Sequence, residues 1–355
     1  MENNSNKKIE RIQWLDVLRG IAIILVVLFH FTTRYQQKYP NNSFVSDALF
    51  QIEFGWIGVY LFFMISGFII YLTIQRKKGP FDFLVARLSR LMPPYWTAII
   101  LILLFEYIHA ILFSEPNRND LITVLFNIFM VPDIFKVHFL DGAFWSLYVE
   151  IKFYLIFAIL WQVVNMKAKK VFYISYFFLL FAAIFHNYIH FIPTGDNFNY
   201  FLIFWSGIAA CKVINEGFEL WEYSIIIVLT TISTLGIYNK GLELIIGIPL
   251  FGFLFVASPF MFAKYPKTAN LLSPIAFIGR ISYSFYLIHQ PVGYIALGLL
   301  AIVPLNYNLA VISAIIICGF IASLGFIFIE KLDKPITAYI NNKIYNNGRK
   351  AVIYP

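Results

Sequence analysis

Arg19 and His30 stand eleven positions apart within LDVLRGIAIILVVLFH, the apolar run from residue 15 to residue 30. In a helix that spacing is about three turns, so both side chains face one side, roughly 16 Å apart in depth. Charged and titratable groups inside a bilayer are costly, which makes Asp16, Arg19 and His30 functional candidates. Arg19 has two further readings: it snorkels to the nearby headgroups, or it pairs with Asp16 one turn before it. His30 at the far end is an interfacial histidine or a general base and acyl carrier.

A second group lies in FWSLYVEIKFYL, residues 144–155. Glu150 falls about 7 Å inside the same face as His30, so a carboxylate orienting a neutral imidazole is one arrangement. Pairing with Lys152 purely for assembly is the other. Glu150 and Lys152 are two apart and point to different sides of a helix, so each needs its own partner.

The stretch PFDFLVARLSRLMPPYW, residues 80–96, keeps Phe81, Leu84, Leu88 and Leu91 at helical spacing and sets Arg87 and Arg90 one turn apart on another face. Such a helix suits an anionic lipid surface, while two guanidinium forks also suit a pyrophosphate or a 3′-phosphate. Pro93 and Pro94 are expected to restart the chain as a new span. In ISYSFYLIHQPV, residues 281–292, Ser282, Tyr286 and His289 share one helical face. They line a polar path or simply bond between helices. Ser66 and Gly67 in FFMISGFII read as a close helix contact.

The elements that must position these groups are membrane helices. Hydrophobic residues make up 60% of the 355, and charged residues only 13%, about half the share in a soluble domain. The fold class is an all-α polytopic membrane protein. Stretches long enough to cross fall at about 14–33, 54–74, 94–113, 145–163, 171–190, 198–214, 221–238, 243–262, 281–303 and 307–330, ten helices in all. The segment 124–135 is apolar but too short to cross, and reads as re-entrant or interfacial. Nineteen Lys and Arg fall in connections on one side against five on the other, which places both termini in the cytoplasm. The net charge of +8 is thus topological, and no nucleic-acid partner is expected. Cys211 and Cys318 lie inside spans without ligand-like neighbours, so neither a disulfide nor a metal site is expected. The first stretch is too long for a cleaved leader, and no internal repeat is visible. Residues 333–355, rich in Asn and Lys, read as a cytoplasmic tail.

Together, from about residue 12 to residue 330, these segments resemble acyltransferase family 3, integral-membrane enzymes that typically O-acetylate surface polysaccharides. The resemblance rests on Arg19-x10-His30, Arg87-x-x-Arg90, SLYVEIKFY against SL-x-VEE-x-FY, and SYSFYLIHQP against SY-x-x-YL-x-H-x-P. It implies acetyl-CoA as donor, a carbohydrate hydroxyl as acceptor, and a membrane lipid setting. His30, Arg19 and Glu150 become the catalytic candidates, and Arg87 and Arg90 the grip on coenzyme A phosphates. Asp16, Ser282, Tyr286 and His289 become candidates for the substrate path. Ile151 replaces the second glutamate of the VEE pattern, followed by Lys152.

The domain expected over 1–332 therefore moves an acetyl group from cytoplasmic acetyl-CoA to a glycan hydroxyl at the cell membrane. A neutral imidazole is required, so activity falls as pH drops through the histidine pKa. Some relatives carry an extracytoplasmic hydrolase-like domain; this chain is expected to lack one and to finish the transfer alone or with a separate protein. The rival class is a transporter or flippase of a glycan or lipid-linked intermediate, with the same polar groups lining its pathway. A third reading is a donor channel that hands acetyl groups outward to another protein.

Overall fold

A computed structural model describes residues 12–40, 44, 50–113, 119–161, 169–189, 197–235, 241–303, 305–329 and 335. Among them the regular elements are all helical. In chain order they are α1 Gln13–Phe29, α2 Tyr35–Lys38, α3 Gly58–Ile74, α4 Pro80–Phe113, α5 Leu121–Ile128 and α6 Phe144–Ile159. After these come α7 Lys169–Ile189, α8 Asn197–Glu216, α9 Leu220–Leu235, α10 Gly241–Lys264, α11 Pro266–Leu271, α12 Ser273–Arg280, α13 Ser282–Leu300 and α14 Tyr307–Phe328. Among the described residues, six helical stretches are long and apolar enough to cross a bilayer: Gln13–Lys38, Glu53–Ile74, Pro80–Ile108, Phe198–Glu216, Gly241–Lys264 and Tyr307–Phe328. Nearly all of the tail 333–355 lies outside the described residues.

Packing starts from two reciprocal glycine contacts. A Cβ on Gly67 of α3 would lie 1.9 Å from the Phe204 carbonyl oxygen, and one on Gly207 of α8 would lie 1.9 Å from that of Met64. Likewise a Cβ on Gly20 of α1 would meet the Ile275 carbonyl at 2.2 Å, and one on Gly279 of α12 that of Asp16 at 1.7 Å. Bare glycines let these backbones touch, the usual basis of helix association where lipid removes the hydrophobic drive. Ring contacts then extend the core. Phe204 stacks on Phe63 at 4.7 Å and on Phe153 at 4.2 Å, joining α3, α6 and α8. Lys212, counted from sequence as a connection charge, is instead buried in α8. Its ammonium donates to Tyr71 at 2.6 Å and to Glu216 at 2.8 Å.

The outward faces carry exposed Ile100, Leu104 and Ile111 on α4, Phe253 and Phe260 on α10, and Ile316, Phe320 and Phe328 on α14. Apolar faces of that extent suit hydrocarbon.

Two details differ from expectation. The prolines do not divide the chain: α4 runs unbroken over 34 residues with Pro93 and Pro94 inside it. Without N–H groups at 93 and 94, the carbonyls of Ser89 and Arg90 lose their helical donors. Neighbouring elements hold both halves in line, for Tyr283 donates to the Leu91 carbonyl at 2.7 Å and Tyr95 to that of Asn127 at 2.7 Å. The first helix, by contrast, widens into a π turn over His30–Arg34 before α2 resumes. The Tyr307 hydroxyl donates to the carbonyl of Phe31 within that turn, and π turns of this kind are common at functional sites.

Candidate active site

One cavity gathers most of the polar groups marked in the sequence. It has about 110 Å³ open to the centres of water molecules, and its walls include Arg19, Arg87, Arg90, Glu150, Ser282 and Tyr286. Ser66, Ser146, Tyr154 and Tyr283 complete the polar lining. Three guanidiniums face one carboxylate there, so the cavity is built for an anion.

Helical phase explains the arrangement. Arg87 and Arg90, one turn apart on α4, both reach the lining, with Leu91 beside them. Arg87 is buried, donates to the Thr73 hydroxyl, and lies over the rings of Phe83 and Tyr154 at 5.9 and 5.7 Å. Its Nε atom is buried with no partner. Arg19 enters from α1, 3.9 Å from Asp16 one turn before it. Asp16 itself is buried against α12 and stays outside the cavity wall.

Glu150 departs from the expected role. Its Oε1 accepts from the Ser66 hydroxyl and from Tyr154 at 2.5 Å, so the carboxylate is spoken for inside the arginine cavity. Similar depth did not bring it to His30. Lys152, two residues on, turns away to Asp133 at 3.6 Å and sits 3.9 Å over the Tyr148 ring, as the spacing requires. Gly67 makes the close contact read from sequence, while Ser66 beside it serves Glu150 instead.

His30 has another partner. Its Nδ1 lies 2.8 Å from the Val26 carbonyl oxygen and 3.2 Å from Nε2 of His289. The Nδ1 of His289 in turn lies 2.7 Å from the Tyr286 carbonyl. A carbonyl only accepts, so each Nδ1 carries the proton, and Nε2 of His289 offers a lone pair to His30. The consequence is a bare Nε2 on His30, the atom a general base needs. His289 is fully buried, its ring 5.4 Å from that of Tyr286. Tyr286 lines the cavity and meets Ser146 at 2.7 Å. A chain of side-chain contacts thus links the cavity through Tyr286 and His289 to His30, and both histidines lie outside the cavity wall.

Tyr154 was legible four residues after Glu150, the spacing that brings helical side chains together. Ser146 and Thr73 gave no such signal, since Tyr286 and Arg87 reach them from other helices.

Among the described residues, an all-helical bundle with several apolar helices around a polar cavity lined by three arginines has the make-up of a multi-pass membrane protein. The family model of the acyltransferase domain matches residues 12–329, and the chain belongs to that family. O-acetyltransferase OatA of Staphylococcus aureus (strain NCTC 8325 / PS 47) is 25% identical over 321 residues, covering 78% of this chain and 50% of the relative. The same figures hold for OatA of strain COL. The chain spans about half the length of these curated relatives. No solved structure gives a significant match.

Proposed function

We propose that the protein is a membrane O-acyltransferase that moves an acetyl group from cytoplasmic acetyl-CoA to a hydroxyl of a surface or lipid-linked glycan. The observation that carries this reading is the contact path from the three-arginine cavity through Tyr286 and His289 to a histidine with a free Nε2. Family membership and the OatA relatives support the same reaction class.

The residues present fit the donor. Arg19, Arg87 and Arg90 outnumber the one carboxylate, and the buried Nε of Arg87 lacks an acceptor that a phosphate oxygen would provide. Bound there, acetyl-CoA supplies a thioester whose acyl group ends as an ester on the acceptor and whose sulfur leaves as the thiol. His30 takes the hydroxyl proton on Nε2 and returns it to the departing sulfur. The Val26 carbonyl keeps the productive tautomer, and His289 holds the ring in place. Glu150, fixed by Ser66 and Tyr154, balances the arginines and excludes a bare cationic pocket when no anion is present.

In this reading the ten helical stretches cross the cell membrane with both termini in the cytoplasm, 1–332 form the acyltransferase unit, and 333–355 trail as a cytoplasmic tail. Membranes given labelled acetyl-CoA transfer label to a glycan fraction, and His30→Ala abolishes the transfer. Full activity in that variant would remove the catalytic assignment, and glycan movement without coenzyme A would favour a transporter.

A further inference from the structure

Beside the histidine pair, two buried acceptor atoms have no donor. Asp141 is 4% exposed. Its Oδ1 takes the N–H of Ala143 at 2.9 Å, whereas Oδ2 is buried with no partner. Gln290 follows His289 in the chain, and its Oε1 is likewise buried with no partner. The two residues meet at one turn, for a Cβ built on Gly142 would stand 3.1 Å from Oε1 and 3.2 Å from Nε2 of Gln290. Gly142 itself is exposed, so the turn opens to the surroundings.

A buried acceptor left without a donor costs about 1–3 kcal/mol, more when it is charged. Native structures rarely keep two together without a use. The turn is already fixed without these atoms, since the Ala143 carbonyl accepts from Tyr286 at 3.2 Å and from Ser146 at 3.1 Å. The missing partner must therefore donate hydrogen bonds and reach both atoms. A second cation is disfavoured, because the charge of Lys38 already acts on Asp141. Lys38 is held 5.2 Å over the ring of Tyr294 and 5.5 Å over that of Tyr39. Two nearby acceptors call for neighbouring hydroxyls on one ligand, which a sugar ring presents.

We propose that Asp141 Oδ2 and Gln290 Oε1 form the acceptor subsite, accepting hydrogen bonds from hydroxyls of a carbohydrate and holding it beside His30 and His289. The role as acceptor subsite rests on the reading of His30 as base; the binding of carbohydrate does not.

The test uses the full chain in lipid nanodiscs at about pH 8.5, above the value of about 7 to which burial raises the Asp141 carboxyl, so that Oδ2 is ionised and accepts. Maltotetraose and chitotetraose are the probes, and coenzyme A is a separate ligand. Asp141→Asn keeps the Ala143 contact and turns Oδ2 into a donor, and Gln290→Met removes the amide at similar length. Each variant should bind the oligosaccharide about tenfold or more weakly, with coenzyme A affinity unchanged and Gln290→Glu close to wild type. Failure of both oligosaccharides to bind the wild-type protein would overturn the proposal, as would equal binding by wild type and both variants. Should Asp141→Asn fold poorly, Gln290→Met carries the same comparison. Absence of His30-dependent transfer from labelled acetyl-CoA, with the binding difference intact, refutes the catalytic reading and leaves the carbohydrate site standing.

Discussion

Nε2 of His289 lies 3.2 Å from Nδ1 of His30, although 259 residues separate them in the chain. The two rings stand edge to face, 4.7 Å between centroids. The Val26 carbonyl, 2.8 Å from the same Nδ1, fixes which nitrogen of His30 carries the proton, and His289 packs against that ring.

If His289 holds the His30 ring in position, His289→Ala lowers kcat about 100-fold while the KM for acetyl-CoA moves little. His289→Gln, which restores an acceptor near the same place, recovers part of the rate. Steady-state kinetics in nanodiscs separates these cases; a pure KM effect would exclude the positioning role.

The arginine cavity makes the opposite forecast. Arg87→Lys raises the KM for acetyl-CoA about tenfold, because a point charge cannot replace a buried fork. Arg90→Ala moves in the same direction. An unchanged KM in both variants would place the donor elsewhere.

Glu150→Gln keeps an acceptor for Ser66 or Tyr154 but removes the charge that balances three guanidiniums. Donor affinity should change severalfold, while the acid limb of the pH–rate profile, set by His30, stays in place. Movement of that limb would mean that Glu150 reaches His30 after all.

Much of this was legible in the sequence, for physical reasons. Apolar run length reports helices directly, and the Arg19–His30 spacing reports their shared face because one helix contains both. The Ser282, Tyr286 and His289 face follows from the same periodicity. Depth, however, does not report rotation. Glu150 and His30 were matched by depth, yet α6 turns its carboxylate toward α3 and the arginines. Nor does a proline pair report a helix end where tertiary bonds on both sides hold the rod together. The Asp141 turn was invisible because an unpaired acceptor is a property of everything around it.

Gly67→Ala tests the α3–α8 contact. With the Phe204 carbonyl 1.9 Å from the new Cβ, the helices must separate, at a cost of about 1–3 kcal/mol. The midpoint of thermal unfolding in detergent should fall by several degrees. An unchanged midpoint would show that the helices yield freely there.

Asp141 links stability to pH. Burial pushes its carboxyl from 3.8 up to about 7, against the Ala143 N–H and the charge of Lys38, with Glu106 adding to the rise. Between those values the native protein keeps a proton that the unfolded chain has lost, so stability falls as pH rises through the window. The full effect is on the order of 4 kcal/mol. Unfolding midpoints measured from about pH 4 to pH 7 should slope downward, and Asp141→Asn should flatten the slope. The same slope in both proteins would assign it to another group.

The π turn at His30–Arg34 has a consequence for how the first helix is geared. One extra residue per turn advances everything after it by about 100° around the axis. Residues Arg19 to His30 keep one rotational phase, aimed at the arginine cavity and His289. Tyr35, beyond the turn, is aimed at Tyr294 and Tyr307, 5.4 and 6.2 Å away. A single helix thereby serves two facing directions. Deleting one residue between Phe31 and Thr33 would mesh the second half wrongly while sparing the first, and so would part the outer aromatic cluster from an otherwise intact Arg19–His30 face.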